Sequence, residues 1–170
     1  IWEGVKEEVE KVSKTSEGQS ILVFMPGTFE IRKTLETLQK STALTNFTIL
    51  PLHGSLSKEE QDLAVKPGGS KIIVSTNVAE TSLTIEGIKV VVDSGYGRTL
   101  RFDPSTGLSR LTTIEISKDS ADQRAGRAGR LGPGKCYRMW GPAEQHRMAD
   151  HRVPEIVDSD LSSLVLDMAQ

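Results

Sequence analysis

An α/β fold, with a parallel sheet sandwiched by helices and one antiparallel β-hairpin inserted into it, is predicted by three features of the sequence. Residues 21–25 form a continuous apolar run, and further short strand-like segments recur at residues 47–52, 71–75 and 88–92. Segments of helical periodicity lie between several of them, and the rhythm changes once, over residues 97–117. A run that is apolar throughout, and not only at alternate positions, suits a strand buried on both faces, as parallel sheets require. Strands joined through helices then imply right-handed crossovers.

The elements follow in order. Trp2, Val5, Val9 and Val12 stand three or four apart with charged residues between them, predicting an amphipathic helix ahead of the first strand. Phe29, Ile31, Leu35 and Leu38 mark a second helix over 28–40. Ser57, three residues before Glu60, is a capping box for a short helix through Val65, which Pro67-Gly68-Gly69 ends. In the insertion, 98–102 and 108–116 flank a turn at Asp103-Pro104-Ser105-Thr106-Gly107, the pattern of a β-hairpin. A helix over 120–130 and a strand over 136–140 complete the unit, and Leu161, Leu164, Val165 and Met168 fall at helical spacing in the closing stretch. The expected organisation is a helix and linker at 1–17, an α/β domain at 18–153 and the start of a following helical region at 154–170, in a protein that continues past Gln170.

Composition narrows the function classes. At 170 residues, 36% hydrophobic and 26% charged, the chain can bury a core without staples. Its one cysteine, Cys136, cannot close an internal disulfide, and His53, His146 and His151 show no metal-ligand spacing with it. His53 and Cys136 are expected to pack and not to catalyse. No apolar run approaches the roughly 20 residues needed to cross a bilayer, so no membrane partner and a reducing, cytoplasmic setting are expected. The net charge of -2 hides a basic cluster, since Arg98, Arg101, Arg110, Arg124, Arg127, Arg130, Lys135 and Arg138 lie together while Glu3, Glu7, Glu8 and Glu10 crowd the opening segment. A clustered basic face can serve nucleic acid despite the overall balance.

The stretch from Gln123 to Arg130 carries the strongest chemical signal. On a helix Gln123, Arg127 and Arg130 stand at i, i+4 and i+7 and share a face. Two forked guanidiniums and an amide held together suit the charge that spreads over a transferring γ-phosphoryl group. Gly126 and Gly129 each cost about 1 kcal/mol in a helix interior, which predicts close backbone approach there. The string from Ser75 to Ile85 follows a buried strand, and α/β sheets bind ligands at the carboxyl ends of their strands. Gly129 to Cys136 nearly matches a phosphate loop, but cysteine replaces the magnesium-ligating hydroxyl and the segment runs from helix to strand.

These strings resemble helicase motifs: residues 21–27 motif IV, Ser75-Thr76-Asn77-Val78-Ala79-Glu80-Thr81-Ser82-Leu83-Thr84-Ile85 motif V, and Gln123 to Arg130 motif VI. In order and spacing they are similar to the second RecA-like domain of the DEAH branch of superfamily 2. The wording of Val91-Val92-Asp93-Ser94-Gly95, Arg101-Phe102-Asp103-Pro104 and Pro154-Glu155-Ile156 most resembles the bacterial HrpB type. The resemblance implies ATP-driven translocation or unwinding, with Gln123, Arg127 and Arg130 facing the γ-phosphate and attacking water, Ser82 sensing the nucleotide and Glu86 near the ribose. It places Gly27, Thr76, Asn77 and Thr81 on single-stranded RNA or DNA. ATP and Mg2+ would be held mainly by an N-terminal RecA-like domain of the same protein, which carries the Walker A and DEAH segments. Relatives carry an aromatic side chain for the adenine where Val65 stands, so weak base recognition is expected. The hairpin, with Arg98, Arg101 and Arg110, fits either a wedge at the duplex junction or a surface packed on a neighbouring domain. The alternative to a motor half is a nucleic-acid-binding or interaction module without catalysis.

Overall fold

The computed structural model describes residues 1–16, 18–130 and 132–153. Five parallel strands, β1 (Ser20–Phe24), β2 (Thr48–Leu52), β3 (Lys71–Ser75), β4 (Ile88–Asp93) and β7 (Lys135–Arg138), form a sheet in the order β2-β3-β1-β4-β7. A separate two-stranded antiparallel hairpin joins β5 (Tyr96–Asp103) to β6 (Leu108–Glu115). The predicted fold class is therefore the observed one.

Side-chain alternation along the central strands divides the core into two layers. Ile21, Val23 and Met25 point to one face, where they meet Val5, Val9 and Val12 of α1 (Trp2–Ser13) and Ile31 and Leu38 of α2 (Thr28–Gln39). Leu22 and Phe24 point to the other, against Ala64 of α3 (Lys58–Val65), Ala79 of α4 (Val78–Thr81) and Ala128. The first helix is thus packed directly on the sheet. Val65, at the end of α3, lies half-buried against this second layer. Cys136 packs there too, and burial pushes its thiol up to about 11, which keeps it protonated and unreactive at neutral pH.

The capping box forms as its spacing predicts: the Ser57 hydroxyl accepts from the Glu60 amide at 3.2 Å, and the Ser57 amide donates to the Glu60 carboxylate at 2.9 Å. The helix predicted over 120–130 differs in extent. α5 spans Lys118–Ala125, and beyond it the amides of Arg127, Ala128 and Gly129 bond to carbonyls three residues back, the tighter 3-10 pattern. Gly126 and Gly129 weaken the α-helix where it gives way. Close backbone approach is not found at either glycine; it occurs at Gly134, where a Cβ would overlap the Ala128 carbonyl. Beyond β7 lies α6 (Pro142–Arg147), and the helical spacing noted within 154–170 falls outside the described residues.

Leu22→Ala should destabilise the domain by about 2–5 kcal/mol, because the side chain is enclosed in the second layer. Ser57→Ala, removing only a surface cap, should cost about 1 kcal/mol. Urea denaturation of both variants checks the contrast.

Candidate functional site

The chemistry-bearing strings converge at the carboxyl end of the sheet. Ser75 closes β3, and its buried hydroxyl donates to the Leu52 carbonyl at 2.9 Å, tying the end of β3 to that of β2. The chain then turns through Thr76 and Asn77 into the single helical turn α4 and the loop up to Gly87. This loop is held from below by α5 and the 3-10 turn that follows it.

Arg124 sits in the middle of that arrangement at 1% exposure. Its Nε donates to Glu80 Oε2 at 3.0 Å, its Nη1 to Asp93 Oδ1 at 2.8 Å and to the Tyr96 carbonyl at 3.2 Å. Its guanidinium carbon lies 4.8 Å from the centre of the Phe24 ring, a cation-π geometry. Glu80, 4% exposed, also accepts from Arg152 Nη2 at 2.9 Å through its other oxygen. Asp93 accepts the Gly95 amide at 3.0 Å as well. Burial still raises its carboxyl above the usual range, against the pull of Arg124. In the sequence Arg124 is one of the clustered basic residues, and no local pattern singles out Glu80 or Asp93. The signal for Arg124 was its neighbours: Ala121 and Ala128, three back and four ahead, mark its helical face as the packed one.

Arg127 is half-buried and grips the same loop by its backbone. Its Nε donates to the Glu80 carbonyl at 2.9 Å, its Nη2 donates to the same oxygen, and its Nη1 donates to the Leu83 carbonyl at 3.1 Å. Burial, followed by the charge of Arg130, lowers the affinity of Arg127 for its proton, so cationic charge is crowded here. Arg130 is exposed and donates to the Thr84 hydroxyl at 3.2 Å. Because residues three apart eclipse in a 3-10 turn, Arg127 and Arg130 remain on one side despite the early end of α5.

Glu80, Thr81, Gln123, Gly126, Arg127 and Arg130 line an open hollow of about 370 Å³. The structure therefore brings together Gln123, Arg127 and Arg130, and adds Thr81, which the sequence reading had grouped with the nucleic-acid set. Ser82 and Glu86 are exposed on the adjoining loop and are not among the lining residues.

Gly27, Thr76 and Asn77 lie just past the ends of the neighbouring strands β1 and β3. At Gly27 a Cβ would fall 2.6 Å from Arg98 Nε, so the missing side chain makes room for a guanidinium from the hairpin. Arg98 also pairs with Glu30 of α2 at 3.4 Å. Arg98 and Asn77 open onto a second hollow of about 490 Å³ at the root of the hairpin, shared with Arg101, Ser120 and Arg152. Further out, Leu100 stands opposite Leu111 and Arg101 opposite Arg110, and both leucines are exposed.

The helicase conserved C-terminal domain family matches residues 4–132. The chain belongs to that family. Among relatives, it is 45% identical over 157 residues to the ATP-dependent RNA helicase HrpB of Escherichia coli, covering 91% of this chain and 19% of that protein. It is 44% identical over 168 residues to the ATP-dependent RNA helicase HrpA of Borreliella burgdorferi, covering 97% of this chain and 20% of the relative. The crystal structure of the E. coli DExH-box NTPase HrpB superposes with a TM-score of 0.88 at 42% identity over 96% of this chain and 20% of the other. The chain thus spans about a fifth of these relatives' length, and its resemblance to the DEAH-type second RecA-like domain is borne out in sequence and fold.

In this helicase domain, Arg124→Ala should cost about 3–5 kcal/mol, since it leaves the buried Asp93 carboxylate without its cation and Glu80 with Arg152 alone. The loss should depend on pH. Without Arg124 the Asp93 carboxyl rises further; a folded state that holds a proton more tightly than the unfolded one loses stability as pH increases. The deficit should therefore shrink between about pH 8 and about pH 5 in denaturation curves, and a deficit constant across that range would contradict the charge account.

Proposed function

We propose that this chain is the second half of an ATP-driven helicase motor, supplying the arginine side of a nucleotide site that forms between it and an N-terminal RecA-like domain. Support comes from the hollow that gathers Gln123, Arg127 and Arg130. Two guanidiniums lining one hollow, the inner of them pressed by burial and then by the charge of the outer, form a site that an anion would relieve. The γ-phosphoryl group of ATP matches that demand, with Arg130 as the outer finger, Arg127 as the inner one and Gln123 positioned for the attacking water.

Mg2+ belongs on the other side of the cleft in this reading. Among the described residues lining the hollow the one carboxylate, Glu80, already spends both oxygens on Arg124 and Arg152. Ser82 and Glu86, exposed on the rim, would meet the nucleotide's sugar and phosphates as the domains close. Gly27, Thr76 and Asn77 would contact the strand's phosphates through amides and hydroxyls, which grip without reading sequence, while Thr81, on the lining of the other hollow, would face the nucleotide. The relatives are named RNA helicases, which favours RNA over DNA as the strand in this reading, and a cytoplasmic site of action goes with it.

Arg130→Ala is the direct test, because the side chain is exposed and its loss leaves the loop's anchors in place. In the full-length protein, nucleic-acid-stimulated ATP hydrolysis should fall by about a thousand-fold or more, with the melting temperature and binding of single-stranded RNA unchanged. Turnover at the parent rate would sink the motor reading and leave a binding module without catalysis.

A further inference from the structure

The buried charge cluster balances only if Arg152 is counted. Glu80 and Asp93 supply two negative charges, Arg124 and Arg152 two positive ones. Arg152 differs from Arg124 in kind: it lies past α6, 72 residues from Glu80 in sequence, and its side chain is 52% exposed. Glu80 is the point where this cluster meets the nucleotide-facing hollow. Its carboxylate is clamped by Arg124 and Arg152, while its carbonyl accepts two donors from Arg127. A side chain held at both oxygens cannot rotate without breaking a charged hydrogen bond.

We propose that Arg152 is a positioning residue for the motor: by holding the Glu80 carboxylate it keeps the Glu80 carbonyl aimed at Arg127, and so sets where the Arg127 guanidinium stands. The inference rests on the reading of Arg127 as a phosphate-facing finger. It assigns to a residue outside the family's matched span, which ends at residue 132, an effect on the phosphate-facing edge. Arg152 also lines the hollow at the hairpin root, beside Arg98 and Asn77. Arg152 therefore borders the hollow at the hairpin root and is paired with a residue that lines the nucleotide-facing one, so that pairing links the two.

The test uses the full-length protein with ATP and single-stranded RNA. Arg152→Gln should lower kcat roughly three- to thirty-fold while KM for ATP stays within about two-fold, the size of effect carried by one coupling contact. Arg152→Lys, which restores the charge, should recover most of the rate. In a Glu80→Gln background, Arg152→Gln should add no further loss, because the group through which it acts is gone. An Arg152→Gln enzyme with parent kcat would overturn the proposal, as would a loss that persists undiminished in the Glu80→Gln background. Arg130→Ala separates the two levels: if that variant is inactive while Arg152→Gln is normal, only the positioning role fails, and if both are fully active the motor reading fails with it.

Discussion

A single enclosed guanidinium organises the functional end of this domain. Arg124 joins the end of β4 through Asp93, the motif loop through Glu80, the hairpin root through the Tyr96 carbonyl and the first strand through the Phe24 ring. Removing a charge from water costs several kcal/mol, and paired burial returns that cost only when the geometry is good. Such a cluster contributes less to net stability than to choosing one arrangement over others. Here the arrangement it chooses is the relative placement of the first strand, the motif loop and the β4-to-hairpin junction, which are separate in sequence.

The other two arginines of the same string divide the remaining work by depth. Arg127, half-buried, gives one donor from each of its nitrogens to loop carbonyls and so fixes the backbone that Arg124 has fixed from its side-chain end. Arg130, outermost, is free to face solvent and any ligand in the hollow. The change from α-helix to 3-10 turn after Ala125 lets both positions stay on one side while the chain shortens toward Gly134 and β7. Gly134 in turn permits the contact with Ala128 that closes the second core layer.

At the strand-facing edge, Gly27 is needed for space. Arg98 lies against its backbone and reaches Glu30, so the hairpin is anchored to α2 at the point where the resemblance expects a nucleic-acid contact. Among the described residues, the exposed Leu100 and Leu111 pair and the Arg101 and Arg110 pair give the outer hairpin an apolar and a basic position in succession. Both the wedge and the packed-surface readings of the hairpin are consistent with that surface.

Local patterns in the sequence determined most of the architecture, because hydrophobic period and capping act over a few residues. The buried strands at 21–25, 71–75 and 88–92, the amphipathic helix carrying Val5, Val9 and Val12, and the Ser57 box all needed no distant partner to be legible. The grouping of Gln123, Arg127 and Arg130 was legible for the same reason, being a matter of spacing along one segment. What only the tertiary structure decided was which arginine goes inside. Glu80, Asp93, Arg124 and Arg152 are spread over 72 residues and meet because the sheet order sets β4 beside β1 and lays α5 across the motif loop. Charge pairing over that separation leaves no periodic mark in a sequence, since its energy depends on burial and distance, and both exist only once the chain has folded.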